Sequence, residues 1–97
     1  MNGGRQSAFW MKQLDERILE YLDEEGWATP SIMARSPAFS ASEGHIRERC
    51  QMLRYIGFID VIHGRMYELD TDGQLYLKGK IDARCRPEPT VDRVLRP

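Results

Sequence analysis

Cysteine is scarce in this chain of 97 residues: there are only Cys50 and Cys85, and histidine is as rare, at His45 and His63. Two cysteines do not make a disulfide framework. The four side chains together suggest a conceivable metal site, but no pair has C-x-x-C or H-x-x-x-H spacing, so no metal is expected. Long apolar runs are missing too. The longest are a few residues, against the roughly 20 that a membrane helix needs, and residues 1–7 lack the apolar stretch of a secretory signal. A cytoplasmic protein without membrane association is the expectation. No serine or cysteine stands beside a histidine in a recognisable nucleophile context, and no acid–base set clusters to line a pocket. No catalytic residue, cofactor or reaction is therefore expected, and no internal repeat is visible.

A strong charge of one sign is also absent, the formal net charge being −1. Its distribution is uneven. Residues 12–25 carry two bases (Lys12, Arg17) against six acids, whereas residues 31–55 carry Arg35, Arg47, Arg49 and Arg54 against Glu43 and Glu48. Residues 83–97 oppose Arg84, Arg86, Arg93 and Arg96 to Glu88 and Asp92. One acidic element thus accompanies two mildly basic ones. With 41% hydrophobic and 30% charged residues, the composition is that of one ordinary globular domain.

Residues 10–25 have the clearest helical periodicity. Met11, Leu14, Ile18 and Leu22 form one apolar stripe, Leu19 and Tyr21 widen it, and Gly26 is a natural stop. Residues 27–29 suit a very short strand. Thr29-Pro30 then reads as an N-cap and a proline at the first helical position, opening a second helix that Ser36-Pro37 ends near Arg35. A third helix follows, for which Ser40 and Glu43 have the spacing of a capping box. Ile46, Cys50, Leu53 and Gly57 share its inner face, which makes Cys50 a core residue. Gly44, Arg47, Glu48, Gln51 and Tyr55 point away, and His45, Arg49 and Met52 occupy a flank. Residues 58–62 and 65–69 are two strands joined at His63-Gly64. Asp70-Thr71-Asp72-Gly73 opens a fourth helix that returns Leu75, Leu77 and Ile81 to the core.

This succession predicts an α+β winged helix-turn-helix over residues 10–82: a three-helix bundle, a β-hairpin wing and a C-terminal helix. Residues 1–9 are expected to be a flexible N-terminus. Residues 83–97 are expected to be a basic, proline-containing tail, extended or disordered, with one turn near residues 91–95. In such a fold the third helix enters a DNA major groove. Arg47 and Arg49 suit phosphate or guanine, Gln51 suits adenine, Glu48 suits cytosine, and Gly44 permits close backbone approach. His45 is a possible phosphate or base contact. Ser42 and Thr29, at helix starts, suit phosphate, and His63 and Arg65 at the hairpin suit a minor groove or phosphate. The tail arginines suit non-specific attraction to the backbone. The competing reading of all these residues is an ordinary solvated surface.

Two groups of residues carry a resemblance. Trp10-Met11, the run Asp15-Glu16-Arg17-Ile18-Leu19-Glu20-Tyr21-Leu22, Gly26 and Ala28-Thr29-Pro30-Ser31 form the first. His45-Ile46-Arg47-Glu48-Arg49-Cys50 with Leu53 and Gly57, then Tyr67-Glu68-Leu69 and Tyr76-Leu77-Lys78-Gly79-Lys80-Ile81-Asp82, form the second. Together they resemble winged-helix proteins related to the haloarchaeal phage phi-H repressor. The resemblance implies an archaeal transcriptional regulator, plausibly a repressor, that binds double-stranded operator DNA as a homodimer. The alternative is a winged helix used as a protein–protein interaction module, its acidic first helix docking a basic partner.

Overall fold

The computed structural model describes residues 4–95. Helix α1 spans Gln13–Glu25, α2 Pro30–Arg35 and α3 Glu43–Tyr55; strands β1 (Ile59–Ile62) and β2 (Met66–Leu69) follow, then α4 (Thr71–Leu77). A 3-10 turn at Ala83–Cys85 and a short helix α5, Val91–Leu95, complete the order. This is an α+β winged helix-turn-helix, with β1 and β2 as the wing.

Local chemistry explains most of the boundaries. The Asp15 carboxylate accepts the Lys12 backbone N–H at 2.9 Å, so α1 starts at Gln13 rather than at Trp10. Thr29 caps α2 through Ile32 N–H, with Pro30 at the first helical position, as expected. The cap of α3 differs from expectation. Ser42, not Ser40, takes the His45 N–H at 3.2 Å, and Glu43 reaches forward to Arg47 instead of back to a cap. Gly57, at φ +86°, ends the helix in a Schellman pair: its own N–H bonds Arg54 O, and Phe58 N–H bonds Leu53 O.

The wing is antiparallel, with Ile59 opposite Leu69 and Ile62 opposite Met66, and His63 and Gly64 both take positive φ at its tip. The short strand expected at residues 27–29 is a single bridge. Ala28 and Tyr67 exchange two backbone hydrogen bonds of 3.0 and 2.8 Å, which fasten β2 to the segment between α1 and α2.

The core gathers Ile18, Leu19 and Leu22 of α1, Ile46, Cys50 and Leu53 of α3, and Phe58, Ile59 and Tyr76, all essentially inaccessible to water. Each such aliphatic side chain contributes about 1.5–3 kcal/mol of burial. Tyr76 is the chief surprise of α4, for which Leu75, Leu77 and Ile81 are the expected core residues. Leu77 and Ile81 pack only at the margin, while Tyr76 stacks on Phe58 with ring centres 5.0 Å apart and donates its hydroxyl to Glu16. A one-sided apolar count favours leucine, but only an aromatic ring spans from Phe58 to the Glu16 carboxylate.

Residues 1–9 and 83–97 are the expected flexible N-terminus and loose tail, and among the described residues both segments make specific contacts. Arg5 bonds Glu20 at 2.7 Å and Glu16 at 3.1 Å, Ala8 is buried, and Gln6 pairs with Asp82 in a parallel bridge. Ala83 is buried; Arg86 bonds Ile56 O and Asp72 and lies over the Phe58 ring. These segments are polar in sequence but are held by contacts with residues far away in the chain, and at Gln6 with each other, which composition does not reveal. The turn expected near residues 91–95 is α5, packed on α3. The remainder of both segments, residues 1–3 and 96–97 with Arg96, lies outside the described residues.

Two outcomes follow from this packing. A Cβ at Gly73 would stand 2.1 Å from Phe58 O, which already accepts the Asp70 N–H, so Gly73→Ala should lower stability in urea unfolding. The expected loss is about 1–3 kcal/mol, the usual cost of overpacking. Burial pushes the Cys50 thiol up to about 12, whereas Cys85 is exposed. A thiol reagent should therefore label Cys85 in the folded protein and Cys50 only on unfolding.

Candidate nucleic-acid interface

The outward face of α3 is polar because its helical spacing turns Gly44, Arg47, Glu48 and Gln51 away from Ile46, Cys50 and Leu53. Arg47 is exposed and bonds Glu43 at 2.7 Å, one turn earlier on the same side. This surface pair holds the guanidinium in place at low cost, since exposed i,i+4 pairs amount to only about 0.3–0.5 kcal/mol.

Arg47 and Gln51 form one wall of a groove of about 670 Å³. Thr29, Ser31 and Arg35 at α2 form the opposite wall, and Arg65 comes from the wing loop. The Ala28–Tyr67 bridge closes this arrangement by holding the wing beside the start of α2. Three arginines meet a single acid, Glu43, along the groove. The Thr29 hydroxyl accepts the Ile32 N–H and keeps its own proton to donate. Three arginines, a glutamine and the hydroxyl-bearing Thr29, Ser31 and Tyr67 thus line one hollow. That chemistry suits a strip of phosphates and base edges.

Among the expected contact residues, Thr29, Arg47, Gln51 and Arg65 are brought together here. Ser42 is exposed beside the groove as the cap of α3. Gly44 lies in the first turn with open space where a Cβ would stand, so the free protein imposes no steric need for glycine there. Glu48 is half-exposed and 3.9 Å from His45, and both lie around the helix from Arg47. His63 sits at the exposed tip of the wing with φ +52°. Ser31 and Arg35 also line the groove, although the sequence reading does not single them out as candidate contacts. Their spacing of four places them on one face of α2, beside the capping Thr29, which is the signal that could have found them.

Arg49 is a correction. Expected to reach phosphate or guanine, it is buried, with its side chain 7% exposed and that of Asp15 fully buried. Its Nε donates to Asp15 Oδ1 at 2.8 Å, and one terminal nitrogen donates to Oδ2 at 2.7 Å and to Trp10 O at 3.3 Å. The Asp15 hydrogen bond raises the guanidinium pKa above its ordinary value. The flank of α3 assigned to His45, Arg49 and Met52 therefore splits: Arg49 faces Asp15 of α1, Met52 is buried, and His45 alone faces water.

Arg84, Arg86 and Arg93 of the tail are engaged too. Arg84 pairs with Asp82 at 2.7 Å, which holds that carboxyl below its usual range, Arg86 pairs with Asp72, and Arg93 bonds Glu88 O. No group of three or more histidine, cysteine or acidic side chains that could hold a metal ion occurs among the described residues. Nor is any described helix long and apolar enough to cross a membrane.

No protein-family model matches the chain, and no curated protein does. Among solved structures, it is similar to the PhiH1 repressor-like protein from Haloarcula marismortui. The two superpose with a TM-score of 0.82 at 28% sequence identity, covering 87% of this chain and 96% of that one. The resemblance carried by residues 10–82 is thereby matched by a structural likeness over most of the molecule.

Arg47 and Arg49 should separate cleanly in urea unfolding. Removing one member of a buried pair strands the other, so Arg49→Ala should cost about 3–5 kcal/mol. Arg47→Ala removes only a surface pair and should stay within about 0.5 kcal/mol of the parent protein.

Proposed function

We propose that this chain is a sequence-specific DNA-binding transcriptional regulator, a repressor that acts by occupying its operator in the cytoplasm as a homodimer. The observation that carries this reading is the groove in which Arg35, Arg47 and Arg65 converge with Thr29, Ser31 and Gln51. In the complex, α3 lies in the major groove with Arg47 and Gln51 toward base edges, and Glu48 and Gly44 follow along its outer face. The hairpin tip, with His63 and Arg65, reaches the neighbouring backbone or minor groove. Thr29, Ser31 and Ser42 donate to phosphates. The repressor-like character of the Haloarcula marismortui protein supports the assignment.

A base-contacting residue contributes about 1–3 kcal/mol of discrimination, so Arg47→Ala and Gln51→Ala should each relax one position of the recognised site. Selection of duplex DNA from a random pool, repeated across a salt series, tests the proposal. The expected result is a defined inverted repeat, with half-sites about one helical turn or a multiple of it apart, and affinity that falls as salt rises. A failure to enrich any duplex even at low salt would overturn it and favour a protein-interaction module.

A further inference from the structure

The groove between α2, α3 and the wing occupies one side of α3. A second hollow, of about 460 Å³, lies on the other side, between the start of α1, the connection from α2 to α3, and His45. Its polar lining is Gln13 and Arg17 of α1, Ser40 of the connection, and His45 of α3, over a floor that includes the buried Phe39. Although α1 is the acidic helix, no carboxylate lines this hollow. Glu16 and Glu20 are drawn to Arg5 on another face, Glu43 is held by Arg47, and Asp15 by Arg49.

Arg17 is the unexplained residue of this helix. It is exposed and reaches to Ala38 O at 3.4 Å, with no carboxylate partner among the described residues. The contact directs the guanidinium across to the α2–α3 connection, toward the beginning of the reading helix. A helix seated in a major groove about 12 Å wide has a sugar–phosphate backbone on each side. His45 and Arg47 are two residues apart and therefore roughly 200° apart around α3, which puts them over opposite walls of such a groove.

Resting on the DNA-binding reading above, we infer that the hollow lined by Gln13, Arg17, Ser40 and His45 seats a phosphate of the DNA strand opposite the one held by Arg35 and Arg65. Arg17 is its charged contact, and Gln13, Ser40 and His45 supply further hydrogen-bond donors. The seat fixes how far α3 rotates in the groove and carries no sequence information itself. The only arginine of an otherwise acidic helix thus becomes part of the interface.

The test uses the full chain and the duplex recovered by selection. Arg17→Gln should lower the slope of log affinity against log salt by about one per protomer, about two for the dimer, weaken cognate and non-cognate duplexes by the same factor, and leave the preferred sequence unchanged. Phosphate-ethylation interference should lose one position per half-site in this variant, at two-fold-related places on the two strands, and Arg17→Lys should restore them. Arg17 makes one long hydrogen bond, so the variant should unfold at the parent's urea midpoint. An unchanged salt slope with an unchanged ethylation pattern would overturn the inference while leaving the DNA-binding reading intact. Failure of the parent protein to bind any duplex would overturn both.

Discussion

The buried pair between Asp15 and Arg49 is the constraint on which the remainder of this small domain depends. Asp15 accepts three hydrogen bonds: from the Lys12 backbone, where it starts α1, and from two nitrogens of Arg49 on α3. One carboxylate therefore sets where α1 begins and at which turn α3 crosses it. The geometry is bidentate and no buried side-chain polar atom is left without a partner among the described residues. Such completeness is what makes a buried ion pair tolerable, since desolvating either charge alone is costly. Hydrophobic contact between the two helices is non-directional and would permit neighbouring registers; the fork of a guanidinium on a carboxylate does not.

A fixed α1–α3 crossing decides which side of α3 meets solvent. With Arg49 turned inward, Gly44, Arg47, Glu48 and Gln51 are left outside, and the acidic faces of α1 stay clear of them. The wing is then placed by a different device, the two backbone hydrogen bonds between Ala28 and Tyr67. A two-stranded hairpin is marginal by itself. Attachment to the segment before α2 gives the wing a third partner and brings Arg65 to within one hollow of Arg35 and Arg47. The basic surface of a nearly neutral protein thus arises from placement of a few arginines and not from composition. The ends of the chain complete the packing, Arg5 against Glu16 and Glu20, and Arg86 against Asp72 and the Phe58 ring.

Legibility in the sequence followed the range of the interactions. The apolar stripe of α1, the Thr29-Pro30 start of α2, the Gly57 stop and the His63-Gly64 hairpin all depend on residues within a few positions of one another. Each was readable for that reason. The cap of α3 lies two residues beyond the one its spacing predicts, because Ser40 and Ser42 are both competent caps. The Ser40–Glu43 spacing favoured the wrong one, and Glu43 preferred the arginine one turn ahead. Tyr76 went unrecognised because its value lies in Phe58 and Glu16, eighteen and sixty residues away in the chain. The clasp between residues 5–8 and 82–86 was hidden for the same reason.

The candidate site shows the same division. Periodicity alone determined the polar face of α3 and put Arg47 and Gln51 on it, because a helix repeats every 3.6 residues whatever surrounds it. It placed Arg49 on a flank beside His45 and Met52 but could not tell whether that flank meets solvent or α1. Only the tertiary structure decided that Arg47 is a solvent-facing donor and Arg49 an internal brace. The reason is that Asp15, thirty-four residues earlier, supplies the one buried carboxylate within reach. Sequence by itself determined the main elements, their order and the outward residues of α3. The assembly of Arg35, Arg47 and Arg65 into one groove, and the removal of Arg49 from it, belong to long-range pairing, which no local pattern encodes.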